Sequence, residues 1–446
     1  MTSAARRRAV VVGLDGVPAS YLEERVAAGT MPALAELLRG GRLVAMDSSV
    51  PPVSGVAWTG LSTGVNPGRH GIFGFTELWP GTYDLRFPNA ANRLAPPVWE
   101  QLAELGGRSV VLNVPGTYPA LAPAGSLLVS GFVSPRFTRS VSPPGWFPRV
   151  EELGYRTDVD VDLDWTDPKA VTAELLDLTE ARRRLWWAAW EQVDWSLFWG
   201  VFTETDRFHH YHWGRRGEPW VGDLLDRLYR ALDDHLADVA DRLTDGDALF
   251  IVSDHGFGPI RAEVHLNHWL AEAGFLRFEV DRPSSLADIG PGTVAFALDP
   301  GRIYLHRKGR YPLGAVAPGD EAAVLEDVTA ALAALTDPDR GEPALGRVIP
   351  GRDAFSGPAL VDGPDLTVLP GPGFDPKGMV GAGRVFTRSN LTGMHSFADA
   401  VCFARGAGLP DRCRLEDVGA SVLAWLGGDP SDLDGEPVLL GGGDRA

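Results

Sequence analysis

Three features of this 446-residue sequence predict an α/β fold, a three-layer α/β/α sandwich with a mostly parallel central sheet and an inserted lobe. Short, continuous apolar runs alternate with helical patterns, as parallel sheets covered on both faces require. Three of those runs end in acidic residues at the place where such sheets carry their sites. Late in the chain a Pro/Gly-rich stretch interrupts the alternation.

The elements follow in order. "RAVVVGLDG" (8 to 16) reads as a buried strand from its β-branched content and closing glycine. "VPPVSGVAWTGLSTGVNPGRHGIFGF" (50 to 75) places Ser54 in a loop just before a segment able to open a helix. "RSVVLNVPG" (108 to 116), "WSLFWGVFTETD" (195 to 206) and "DALFIVSDHG" (247 to 256) repeat the strand pattern. Between the last two, Leu225, Leu228, Leu232, Leu236, Val239 and Leu243 are spaced 3, 4, 4, 3 and 4, one stripe of an amphipathic helix. From 276 to 390 regular periodicity dissolves into pieces such as "PGPGFDPKGMVGAG", which predicts a lobe rich in surface loops. "LEDVGASVLAWLGG" returns to a helix ended by a glycine pair. The expected organisation is a catalytic core over 1–275, the inserted lobe over 276–390 and a return to the core over 391–446.

Composition narrows the function. With 41 Lys+Arg against 59 Asp+Glu the formal charge is −18, a balance that repels polyanions and argues against a nucleic-acid partner. A small phosphorylated metabolite held by a local positive site remains compatible. The apolar run from Ala9 to Leu14 is too short for a secretory signal, and "WWAAWEQVDWSLFWGVF" carries Glu191 and Asp194 and does not read as a membrane span. Cys402 and Cys413 form neither a zinc-finger spacing nor a disulfide framework. The expected location is cytoplasmic, with no membrane partner. Trp186, Trp187 and Trp190 read as core packing. Arg6, Arg7 and Arg8 read as a solvated leader, and Arg182, Arg183 and Arg184 as an exposed helical turn.

Asp15, Asp206 and Asp254 stand at the three strand ends. In "TETDRFHHYHW", Asp206 and His210 share a helical face at i, i+4, a spacing suited to Zn²⁺ or Mn²⁺. Asp206 with His209, and His209 with His212, are competing pairs. "SDHG" supplies Asp254 and His255 side by side, where Gly256 would permit the bend. "LTGMHSFADAV" adds His395. Ser54, near a helix N-terminus, is placed to bear negative charge, but a serine hydroxyl needs activation by a base or metal. "GxSxG" is absent, so metal activation at a two-metal site is the better account.

Taken together, Asp15 after the first strand, Ser54 before "TGVNPGRHGI", "DRFHH", "SDHG" and "MHS" resemble the alkaline phosphatase superfamily. The nearest branch is the type I phosphodiesterase/nucleotide pyrophosphatase group, in its prokaryotic cytosolic members. Fragments such as "FGPIRAEVHLNHWLAEAGFL" and "GRIYLHRKGRYPLGAV" extend the resemblance over nearly the whole chain. The resemblance implies two divalent transition-metal ions, zinc first and manganese next. It assigns Asp15, Ser54, Asp254 and His255 to one ion, and Asp206, His210 and His395 to the other. It also implies a phosphoseryl intermediate on Ser54.

Two departures bear on substrate. The family's nucleotide pyrophosphatases usually carry threonine where this chain has Ser54. They also carry an asparagine shortly after "HGI", where this chain has Phe75, and losing such a donor costs ~3 kcal/mol of transition-state stabilisation unless it is replaced. Asn113, Asn267 and the backbone N–H groups after Ser54 are the candidate replacements. The expected activity is hydrolysis of phosphodiester or nucleotide pyrophosphate bonds. A phosphomonoesterase or phosphotransferase on the same site is the alternative, for which Arg69, Arg93 and Arg207 are the candidate binders of a dianion. The residues after Ser54 lack the Pro and Arg of a sulfatase.

Overall fold

The valine-rich run at 8 to 16 becomes the middle strand of a sheet because every residue from Ala9 to Leu14 is buried. The computed structural model describes residues 7–160, 162–405 and 409–438. They pack as two units: one within Met1–Asn66, Asn89–Phe257 and His395–Ala446, the other of Pro67–Pro88 and Gly258–Met394.

In the first unit, β1 (Arg8–Leu14), β2 (Gly41–Asp47), β3 (Ser109–Leu112), β4 (Leu127–Val129), β5 (Val141–Ser142), β6 (Leu197–Phe202), β7 (Asp247–Val252), β8 (Ala400–Arg405) and β9 (Cys413–Arg414) share one sheet. Their spatial order is β9-β2-β8-β7-β1-β6-β3-β4-β5. β1 lies parallel between β6 and β7, and β3 runs parallel to β6 and β4. β8 is antiparallel to both β7 and β2.

Five helices matter for the site: α1 (Ser54–Thr63), α2 (Pro168–Gln192), α3 (Glu204–His212), α4 (Pro219–Ala240) and α5 (Leu415–Trp425). Alternate residues of β1 feed opposite layers, as the two-residue period of a strand requires. Val10 and Val12 join Leu175 and Trp186 of α2 and Leu228 and Leu232 of α4. Ala9 and Val11 join Trp58 and Leu61 of α1 and Val418 and Val422 of α5. Gly13 has no room for a side chain, since a Cβ there would lie 2.5 Å from the Trp58 ring.

Register sets where the site forms. Leu14 pairs with Phe202 and Gly13 with Val252, so β1, β6 and β7 end side by side. The residues that follow them are therefore neighbours.

The second unit has its own core. Ala295–Leu298, Arg302–Leu305, Leu366–Pro370 and Leu345–Pro350 form an antiparallel sheet in that order. Phe296, Ile303 and Val368 pack with Val328 and Leu332 of the helix Glu321–Ala333. The expected loop-rich lobe of 276 to 390 lies inside this unit and is more regular than expected, because its strands are four to six residues long and sit between Pro/Gly turns. Val264 and Leu270 share its core, and Arg302 Nη2 donates to the Thr76 carbonyl at 2.6 Å.

Other expectations also change. Arg182 is buried and ion-paired with Glu204 rather than exposed. Its neighbour Arg183 pairs with Asp238, and only Arg184 is an exposed residue. Arg8 opens β1 and bridges Asp247, while Arg6 lies outside the described residues. Trp186 is buried, with Trp187 and Trp190 packed beside it, as core packing requires. No helix among the described residues is long and apolar enough to cross a membrane.

Candidate metal centre

Asp15 follows β1 directly, and its amide still donates to the Phe202 carbonyl at 2.9 Å. That holds it at the tip shared by β1 and β6. Asp254 and His255 follow β7, and all three residues are completely buried. His255 Nε2 lies 3.2 Å from Asp254 Oδ2 and 3.9 Å from Asp15 Oδ1. Ser54 is the first residue of α1, with Val53 at the cap position. Its Oγ lies 3.4 Å from both Asp15 Oδ1 and His255 Nε2.

A second set gathers alongside. Asp206 and His210 share one face of α3, with Asp206 Oδ1 3.4 Å from His210 Nε2. His395 Nε2 lies 3.2 Å from Asp206 Oδ1 and 3.0 Å from His210 Nε2. All seven residues singled out in the sequence thus stand together in the first unit. His255 connects the sets: its donor atom lies within 4.8 Å of Asp15 and Asp254, and equally of Asp206 and His395. Its ring stacks on that of His395 with centroids 3.6 Å apart.

Backbone carbonyls orient the imidazoles. His255 Nδ1 meets the Gly256 carbonyl at 3.0 Å and His395 Nδ1 meets the Pro52 carbonyl at 2.9 Å. A carbonyl only accepts, so each Nδ1 donates and each Nε2 is turned toward the cluster. Gly256 serves by close approach, since a Cβ would lie 2.4 Å from the Ala398 carbonyl oxygen.

The donor set fits divalent transition metals. Burial, then the charges of Asp254 and Asp206, push the Asp15 carboxyl well above its ordinary range. Burial, with the Asp206 charge, also raises Asp254 to about 7. Burial acts on Asp206 in the same sense, but His210 and His395 outweigh it and hold that carboxyl well below its ordinary range. Asp254 Oδ2 is buried with no hydrogen-bond partner among the described residues. Three crowded carboxylates, three imidazoles and a hydroxyl are the hard and borderline ligands that Zn²⁺ and Mn²⁺ take.

Comparison with known families decides the lineage. The family model described as "Type I phosphodiesterase / nucleotide pyrophosphatase" matches residues 9–398. The chain belongs to this family. It is accordingly a hydrolase of the alkaline phosphatase superfamily, with two candidate metal sites. No curated protein matches the sequence at a significant level. Among solved structures, phosphonoacetate hydrolase from Sinorhizobium meliloti 1021 in complex with phosphonoacetate is 18% identical, with a TM-score of 0.66 over 94% of this chain and 96% of that one. Murine ectonucleotide pyrophosphatase/phosphodiesterase 5, an inactive variant in complex with AMP, is 13% identical, with a TM-score of 0.57 over 96% of this chain and 97% of that one. These likenesses show that the phosphodiesterase-family fold is shared.

Several other candidates have partners of their own. His209 Nδ1 meets the Gly16 carbonyl at 3.0 Å and its Nε2 faces the Tyr229 hydroxyl at 3.3 Å, so both nitrogens are engaged outside the cluster. Burial drops its pKa to about 3. His212 is buried beside Phe208 and likewise lowered by burial, to about 4. Asn113 donates to the Val201 carbonyl and accepts from Tyr155. Asn267, in the second unit, donates to the Ala297 and Gly378 carbonyls and accepts from the Ala297 amide. Both asparagines therefore serve local structure. Arg69 and Phe75 belong to the second unit.

Two residues unforeseen in the sequence support the site. Trp58 Nε1 donates to Asp15 Oδ2 at 2.9 Å, and Gly16 N donates to Asp254 Oδ1 at 3.0 Å. The only sequence signal for Trp58 is its i, i+4 relation to Ser54. Gly16 adopts φ +66°, a conformation glycine takes without strain.

Proposed function

We propose that this family member hydrolyses phosphodiester or nucleotide pyrophosphate bonds of a small phosphorylated metabolite, with Ser54 as the covalent nucleophile. The observation that carries the reading is the place of Ser54: its Oγ is 3.4 Å from an aspartate oxygen and an imidazole nitrogen of the cluster, at the start of a helix. One ion would be held by Asp15, Ser54, Asp254 and His255, the other by Asp206, His210 and His395. Two zinc ions, or manganese in their place, supply Lewis acidity when bound: they lower the hydroxyl pKa and offset phosphoryl charge.

The protein's own groups do the rest. Ser54 Oγ forms a bond to phosphorus as the bond to the leaving oxygen breaks, and water then cleaves the phosphoserine to regenerate the hydroxyl. The Val56 and Ala57 amides already bond the Val53 carbonyl, which leaves the Ser54 and Gly55 amides at the helix terminus to face a phosphoryl oxygen in place of the family asparagine.

The state of two arginines favours a diester over a dianion. Arg207 gives its Nε and Nη2 to Asp158 at 3.0 and 2.6 Å, and Arg93 is paired with Glu100 and the Ala95 carbonyl. The charge of each guanidinium is already offset by a carboxylate, which weakens its pull on a terminal phosphate dianion. The deciding test is a hydrolysis panel on metal-reconstituted enzyme with bis-p-nitrophenyl phosphate, p-nitrophenyl phosphate, ATP, NAD and a nucleoside-diphosphate sugar. Diesters or pyrophosphates should exceed the monoester by about tenfold or more in kcat/KM. A panel led by p-nitrophenyl phosphate would favour the phosphomonoesterase or phosphotransferase alternative, and activity unaffected by chelators would remove the metals from the account.

A further inference from the structure

Three consecutive carbonyls after β1 are held by three side chains, and each of those side chains immediately precedes a candidate metal ligand. Thr205 Oγ1 donates to the Asp15 carbonyl at 2.6 Å, and Thr205 precedes Asp206. His209 Nδ1 meets the Gly16 carbonyl at 3.0 Å, and His209 precedes His210. Ser253 Oγ donates to the Val17 carbonyl at 2.7 Å, and Ser253 precedes Asp254. Gly16 is the crossing point, because its N–H donates to Asp254 Oδ1 while its carbonyl accepts a hydrogen bond from His209 Nδ1.

From this we infer that His209 is a positioning residue that locks the two metal half-sites into one register through the main chain of Gly16. The inference rests on the two-metal reading above. One end of the link is the carboxylate of Asp254, a residue assigned to the first ion. The other end is a ring on α3, the helix that carries two ligands assigned to the second.

The local chemistry suits a fixed link. The Gly16 carbonyl only accepts, so His209 Nδ1 must donate, and Nε2 is then left to accept from the Tyr229 hydroxyl at 3.3 Å. The Gly16 carbonyl thus fixes the tautomer that the link needs, and Tyr229 satisfies the far side of the ring. His209 is completely buried and packs edge-on against Trp213 and Phe257, with centroids 4.6 and 5.1 Å away. Gly16 approaches α3 so closely that a Cβ would sit 3.1 Å from Asp206 Oδ1. The spacing between the Asp254 and Asp206 halves is thus set by main chain at Gly16, with His209 as its clamp.

The test is zinc binding by the purified full-length chain, read as stoichiometry and affinity against a chromophoric chelator. The wild type should hold two ions. His209→Phe keeps the ring packing and loses the N–H, so it should weaken the second ion by about tenfold or more, the scale of lost partners at metal-bound histidines. His209→Asn carries an amide N–H near the position of Nδ1 and should bind both ions within about threefold of wild type. If His209→Phe does not fold, Tyr229→Phe gives the answer by removing the hydroxyl that holds the far side of the ring in place, and should also weaken the second ion. His209→Phe with two wild-type affinities overturns the inference, as does a folded His209→Asn that loses an ion or a Tyr229→Phe that changes nothing. A wild type that takes up neither zinc nor manganese overturns the two-metal reading itself, and this inference with it.

Discussion

The indole N–H of Trp58 donates to Asp15 Oδ2 at 2.9 Å, while the far edge of the same ring fills the space that Gly13 leaves on β1. One side chain thus couples a core contact to the aim of a candidate metal ligand. Trp58→Phe should keep most of the packing and free Asp15 to rotate. Metal affinity should fall by about tenfold to a hundredfold, with a smaller change in melting temperature. Equilibrium dialysis against zinc checks this, and an unchanged affinity would leave Trp58 as core packing alone.

His235 predicts an acid limb in stability. It is completely buried against Trp186, Trp187 and Phe202, and neither ring nitrogen has a hydrogen-bond partner among the described residues. Burial, with help from Arg183 and Arg242, lowers its pKa to about 3. The unfolded chain takes up this proton near pH ~6.5 and the folded one does not. The contribution of the neutral ring is therefore fully present above that pH and is lost as pH falls toward the folded value, by about 1.4 kcal/mol per pH unit. His235→Phe should flatten the slope of urea-unfolding free energy between roughly pH 6 and 4 by about one proton. An unchanged slope would show that His235 does not carry it.

Arg182 and Glu204 form a buried ion pair two residues before Asp206. Burial alone raises the Glu204 carboxyl pKa, and Arg182 opposes that rise. Arg182→Met leaves the carboxylate without its partner and should cost about 3–5 kcal/mol. The double change Arg182→Met with Glu204→Gln should recover much of that loss, because it removes the stranded charge. Denaturant midpoints of the four proteins in the cycle measure it, and equal losses in the single and double variants would contradict it.

These cases mark what could be read from the residues alone. Strands β1, β3, β6 and β7 were legible because continuous apolar runs leave no other use for those residues, and their shared ends located Asp15 and Asp254. The antiparallel direction of β8 was not legible, since "AVCFAR" has the same apolar content in either direction. The sheet of the second unit was hidden by strands too short to show a period. At the site, ligand spacing left His209 and His210 open as partners of Asp206, because i, i+3 and i, i+4 both bring side chains together on a helix. The Gly16 carbonyl separates their places in the structure, and no local pattern announces a backbone acceptor that arrives from another strand. Arg182 reads as exposed for a similar reason: its place inside depends on Glu204, which arrives from beyond the next strand.

Ser54 carries the central claim, and replacing it is the most direct measurement. Val53 occupies the cap position of α1, so Ser54→Ala should leave the melting temperature within a few degrees of wild type. Turnover of the best substrate should fall by several orders of magnitude, since the atom that bonds phosphorus is gone. Ser54→Thr should keep part of the activity, because its hydroxyl can still attack. A Ser54→Ala protein that keeps more than about a tenth of wild-type kcat, a loss under ~1.4 kcal/mol, would contradict the mechanism.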